Sequence, residues 1–196
     1  MKFFTKKHLR AQRGAMFGLD ARLALAIFAG LSVIAGMAVF DTIRETNTTA
    51  LVSEFDNISK GYINYTFDTG IDIPEGTAAG EGIRGLWEPT STGPTTPLGW
   101  SGPYITRASE DHPVYGDYEI VRGFIDVDGE TPQTAGGNIN GAWLELTTVS
   151  CEIARDLDVK IDGDSGANNT GNLRFPGTCP DGGDGTVYYL LSRTMN

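Results

Sequence analysis

Residues 23–40 form a run of eighteen positions with no charged side chain and only Ser32 as a strongly polar one, bracketed by Arg22 and Asp41. No other segment of the 196-residue chain has membrane length. As a helix the run extends roughly 27 Å at about 1.5 Å per residue, close to the ~30 Å of bilayer hydrocarbon. It can cross a membrane once. Charge is distributed unequally around it. Lys2, Lys6, Lys7, Arg10 and Arg13 precede it with no acid among the first 14 residues, and the remainder holds 10 bases against 25 acids, a net of −15. By the positive-inside rule the basic head stays in the cytoplasm and the acidic body is exported.

An acidic body with no basic run after the head excludes a nucleic-acid partner, because phosphate-backbone binders present a cationic face. With 26 glycines, nine prolines and 40% apolar residues, the composition is that of a loop-rich folded domain and not of a disordered tail.

Two readings of the N-terminus compete. A secretory signal would use residues 23–35 as its apolar core and be cut near Gly36-Met37-Ala38, releasing a soluble domain. Against it stand Asp20 in a region that should be purely basic, the long stretch before the apolar run, and a helical pattern that continues past the cut. Beyond Phe40, Leu51, Phe55, Ile58 and Tyr62 recur at spacings of four, three and four, one stripe of a helix. With Gly70 and Pro74 as stop signals, the periodicity predicts one helix from about Leu19 to Tyr65, roughly 70 Å long. Half of it would lie beyond the bilayer.

A short basic leader ending Gln12-Arg13-Gly14, a small residue, an acid ahead of an apolar stretch, and a long half-amphipathic helix together resemble a type IV prepilin or type II secretion pseudopilin, over residues 1 to about 65. The resemblance implies a structural subunit of the bacterial inner membrane. A prepilin peptidase removes its leader, its new N-terminal amine is methylated, and a cytoplasmic ATPase and platform protein polymerise it with like subunits and other pilins. The matching acid is Asp20, which in the family neutralises the N-terminal amine of a neighbouring subunit. Cleavage after Gly14 makes Ala15 the first mature residue and Asp20 the sixth. Cleavage after Ala15 makes Met16 the first and Asp20 the fifth, the family position, but replaces the glycine preferred before the cut. Both registers stay open. Independently of the family, a lone carboxylate at the edge of the hydrocarbon costs up to about 2.5–3.5 kcal/mol unless a cation meets it. The neighbouring amine or Arg22 can do so. Gly18, Gly30 and Gly36 permit close helix approach.

The expected organisation is a leader over 1–15, a long helix over 16–66 with its membrane-spanning part at 23–40, and an exported body over 67–196. Residues 70–103 hold eight glycines and five prolines, so they read as a long connecting loop, pinned by Trp87, Trp100 and Tyr104. Exposed tryptophans could instead stack on sugar rings, which would suit a membrane-anchored or secreted binding domain that never polymerises. Strand-like runs follow at 118–127, 143–149 and 187–191. Between the last two, Ser150 can cap a short helix that places Ile153, Leu157 and Ile161 on one face and stops at Gly163. The fold class is α+β, with an antiparallel sheet of three or four strands packed on the outer half of the long helix.

Cys151 and Cys179, the only cysteines, both fall on the exported side, where a disulfide is the default. It would close a loop near the C-terminus like the outward-facing loop of many pilins, and would stabilise by roughly 3–4 kcal/mol. Acid-rich stretches lie beside it: Asp158, Asp162 and Asp164 in one, Asp181 and Asp184 in another, and Asp126, Asp128 and Glu130 earlier. Alternating carboxylates suit calcium, and some pseudopilins bind calcium in this loop, although no run here fits an EF-hand. Solvated turns explain the same acids. Four Asn-x-Ser/Thr triplets, at Asn47, Asn57, Asn64 and Asn168, accept glycans only where the machinery exists. Catalysis finds little support: outside the leader, which holds His8, the one histidine is His112, near Ser109 and Asp111. The expectation is a non-enzymatic protein.

Overall fold

A computed structural model describes residues 14–74, 81–91, 93, 95–107, 109–125, 132–133, 141–163, 171–175 and 182–193. Among these residues three helices, α1 (Gly14–Thr69), α2 (Glu81–Arg84) and α3 (Cys151–Ile161), accompany five strands: β1 (Tyr118–Ile125), β2 (Pro132–Gln133), β3 (Gly141–Ser150), β4 (Leu173–Arg174) and β5 (Asp184–Ser192). The chain divides into two compact units, Met1–Glu45 and Thr46–Asn196. The later residues of α1 thus belong with the body.

In the first unit every large apolar side chain from Leu19 to Ile43 is more than half exposed, from 51% at Ile43 to 75% at Phe40. The segment is one helix, long and apolar enough to cross a membrane.

In the second unit the same helix changes character. Leu51, Phe55, Ile58, Tyr62 and Tyr65 are buried, which extends the predicted stripe by one further step of three. The helix stops at Gly70, which adopts φ +69, a left-handed conformation that costs glycine little, and whose N–H bonds the Thr66 carbonyl at 2.9 Å. The chain then folds back along it. Tyr62 Oη donates to Asp72 Oδ1 at 2.9 Å, and Ile73 is buried.

The sheet is antiparallel throughout, in the order β2-β1-β3-β5-β4. Its alternation decides the core. Tyr118 and Ile120 of β1 lie beside Leu146 and Leu144 of β3, and these beside Val187 and Tyr189 of β5, all on one face. Phe55 of α1 meets this face, edge-on to Tyr118 at 6.4 Å between ring centroids and stacked with Tyr189 at 5.3 Å. The intervening residues form a second cluster, in which Trp143 and Tyr188 are buried and the Arg174 guanidinium lies over the Trp143 ring at 4.9 Å. A bulge between Leu146 and Val149 places exposed Thr148 at φ 58, a conformation unusual for a β-branched residue, and returns Val149 to the core.

Ser150 caps α3, its hydroxyl accepting from the Ile153 amide. Ile153, Ala154 and Leu157 are buried and Ile161 half-buried. Among the described residues of 70–103 the expected irregular connection contains one turn of helix, α2, and Ile83 and Leu86 join the core. Trp100 Nε1 donates to the Gly85 carbonyl at 3.2 Å, and the Tyr104 ring packs edge-on against Tyr65 and Trp100.

Candidate functional site

Two regions hold candidate functional residues, one in each compact unit, and each is described by itself.

In the first unit the backbone of Gly14, Ala15 and Met16 is helical, the opening turn of α1. Asp20 and Arg22 follow on the same exposed helix. A Cβ built on Gly18, Gly30 or Gly36 meets nothing within 4 Å. Packing within the chain therefore does not require glycine at these three places. The leader residues 1–13 lie outside the described residues.

In the second unit a groove of about 700 Å³ runs between one flank of α1 and the extended residues 104–107. Ser53, Asn57, Lys60 and Asn64 line the helix side at successive spacings of four, three and four, and Tyr104, Thr106 and Arg107 line the other. Its floor is Gly61 and its neighbour Ile58, with Ile105 opposite. A Cβ on Gly61 would overlap the Ile105 side chain, so glycine is what lets the 104–107 segment lie this close to the helix.

A compact ionic cluster borders that groove, which Glu54 and Arg107 also line. Glu54 of α1 takes an ion pair from Arg107 through Oε1, and its other oxygen lies 3.4 Å from His112 Nε2. Arg107 also donates through Nε to the Ser109 carbonyl at 2.9 Å, and its guanidinium lies 4.4 Å from the centroid of the Tyr118 ring. His112 side-chain exposure is only 9%. Its Nδ1 accepts from two backbone amides, Val114 at 3.0 Å and Tyr115 at 3.1 Å. A ring nitrogen that accepts carries no proton, so the imidazole is neutral with its hydrogen on Nε2, facing Glu54. Burial holds the His112 pKa below its ordinary value of 6.5, with Arg107 acting in the same sense and Glu54 against it. Burial, followed by the nearby Glu54 charge, raises that of Tyr118. The Ser109 hydroxyl donates to Asp111 Oδ2 at 3.0 Å, so the residues near His112 in sequence do not converge on its imidazole.

The expected calcium carboxylates are dispersed in role. Asp158 lies within α3, 1% exposed, so it belongs to the interior and not to a solvated turn. Asp162 is the C-cap of α3, and its two oxygens accept from the backbone amides of Asn172 and Leu173 at 2.8–3.0 Å. It clamps the chain entering β4 to the end of the helix. Asp184 is exposed at the start of β5. Among the described residues no three His, Cys, Asp or Glu side chains group as metal ligands. Asp164, Asp181, Asp126, Asp128, Glu130 and the Asn168 triplet lie outside the described residues. Cys151 is buried at the first turn of α3 and is disulfide-bonded, while Cys179 lies outside the described residues.

The three tryptophans are not a free aromatic platform: Trp143 is buried, and Trp87 and Trp100 are half-buried against the core. Sequence reasoning missed the Glu54–Arg107–His112 cluster because its members come from separate segments. The one local signal was Asp111-His112-Pro113, a polar residue heading a proline turn.

No family model, curated protein or solved structure matches this chain.

Proposed function

We propose that the chain is a structural, non-catalytic subunit of a pilus or type II secretion pseudopilus. Residues 23–40 hold it in the bacterial inner membrane with its N-terminus in the cytoplasm. A prepilin peptidase trims it after Gly14 or Ala15, and the assembly platform and ATPase polymerise it through α1 with like subunits and other pilins.

The observation that carries this reading is the dual character of a single helix. The early residues of α1 are apolar and exposed, and the later ones form the core of a folded body. Twelve large apolar side chains left in water between Leu19 and Ile43 would each forfeit about 1.5–3 kcal/mol of burial. Lipid covers them before assembly, and neighbouring helices cover them afterwards. The free Cβ directions at Gly18, Gly30 and Gly36 support close approach between such helices. Asp20 supplies the docking charge for the neighbouring N-terminal amine. A Cys151–Cys179 disulfide closes the C-terminal loop.

The test is the mature N-terminus, read by intact mass and N-terminal peptide analysis of protein taken from membranes with and without the prepilin peptidase. The expected result is a peptidase-dependent start at Ala15 or Met16 carrying an added methyl group. A start near Val39 overturns the proposal. As a second expected outcome, Asp20→Ala and Asp20→Lys chains are processed and stable but fail to enter filaments. Normal incorporation of both removes the docking role.

The polar groove at 53–64 and 104–107 favours a second reading, a membrane-anchored binding domain that does not polymerise. That protein would bind a ligand through the groove and would show neither peptidase-dependent trimming nor filaments.

A further inference from the structure

Residues 110–118 close on themselves. The Tyr118 amide bonds the Glu110 carbonyl at 3.0 Å, the His112 amide bonds the Gly116 carbonyl at 3.0 Å, and inside this turn the His112 imidazole accepts from the amides of Val114 and Tyr115. The same ring holds the turn to the rest of the body. It lies 4.7 Å from the Tyr115 ring and 5.8 Å, edge-on, from the Tyr118 ring of β1, and its Nε2 faces Glu54 of α1. One side chain therefore both shapes the turn and fastens it to two elements, and it does so only while Nδ1 bears a lone pair. Adding a proton there turns an acceptor into a donor that points at two other donors.

We propose that the 110–118 turn is an acid-released latch: protonation of His112 breaks the two amide bonds that shape the turn and frees it, with Arg107, from the side of α1, changing the lining of the groove. The balance of charges sets the direction. Arg107 and burial oppose a charged imidazole in the closed turn, and Glu54 alone favours it. The closed form therefore takes the proton less readily than an open one, in which His112 titrates near 6.5. Below that value the open form gains protons that the closed form does not, so the population of the open turn rises about tenfold per pH unit until the closed form also protonates. Other ionisable groups border the turn. Arg84 of α2 pairs with Glu110 at 3.2 Å. Asp117, exposed to solvent, is held above its ordinary value chiefly by its hydrogen bond with Asp111. Tyr115 and Tyr118 stay neutral, their pKa values raised by burial.

Amide hydrogen exchange of the full chain in detergent micelles, followed by peptide mass spectrometry from pH 7.5 to 5.5 and corrected for intrinsic rates, tests the latch. Protection of residues 107–118 should fall by about tenfold per pH unit below 6.5 while that of β3 and β5 stays constant. His112→Asn, whose side-chain oxygen can accept the same two amides but cannot titrate, should keep the turn protected across the whole range. Glu54→Gln removes the one group that favours the charged ring in the closed turn, so the fall in protection should keep its onset near 6.5 and continue to lower pH, with a larger total loss. Protection that is independent of pH, a loss shared equally by β3 and β5, or an unchanged transition in His112→Asn each overturns the proposal.

Discussion

At the scale of single residues, the acids of the folded body are structural more often than their spacing suggested. Asp162 occupies both carboxylate oxygens with the backbone amides of Asn172 and Leu173, where the chain enters β4. Replacing it by alanine should destabilise the body by about 1.5–3 kcal/mol, the range for hydrogen bonds to a charged group, measured by urea unfolding with tryptophan fluorescence. A loss below about 0.5 kcal/mol would mean that water replaces the clamp at no cost. His112 shows the same lesson. In sequence it was a lone histidine beside a serine and an aspartate, and in space its partners are two amides and a glutamate 58 positions earlier. Its neighbour Ser109 donates to Asp111 instead.

At the scale of the element, α1 is one helix of two characters. Its first part satisfies the apolar count a membrane needs, and its second the 3.6-residue period a packed surface needs. Two substitutions separate them. Phe55→Ala removes a ring wedged between Tyr118 and Tyr189 and should cost the body about 3–5 kcal/mol. Leu31→Ala, on a side chain 61% exposed, should leave unfolding of the body unchanged. Denaturation of both chains in micelles reads this directly, since all three tryptophans lie in the body. Equal losses would mean that the two parts of the helix unfold as one cooperative unit. The end of this helix was legible because Gly70 is a stop signal, as was the start of α3 at Ser150, because capping chemistry is local. The burial of Ile83 and Leu86 was not, since a Gly/Pro-rich stretch carries no periodic pattern to show which apolar residues turn inward.

At the scale of the whole molecule, net charge opposes close approach between copies. Beyond residue 14 the chain carries 10 bases against 25 acids, and every copy presents the same excess. Repulsion between like bodies is screened over about 10 Å at 0.1 M salt and about 3 Å at 1 M. Self-association of the micelle-bound protein should therefore rise between about 20 mM and 500 mM salt, followed by analytical ultracentrifugation. A flat or falling dependence would mean that association is not limited by this net charge.

The sequence alone determined the features that depend on composition and local period: an apolar run of membrane length behind a basic head, a long helix with one packed stripe, a capped short helix, and strands rich in branched and aromatic residues. These are legible because solvent transfer and backbone geometry act residue by residue. Only the tertiary structure decided which acids are bonded inward, which loop residues complete the core, and that Glu54, Arg107 and His112 meet. Those outcomes depend on contacts between segments tens of residues apart, and no local pattern encodes them.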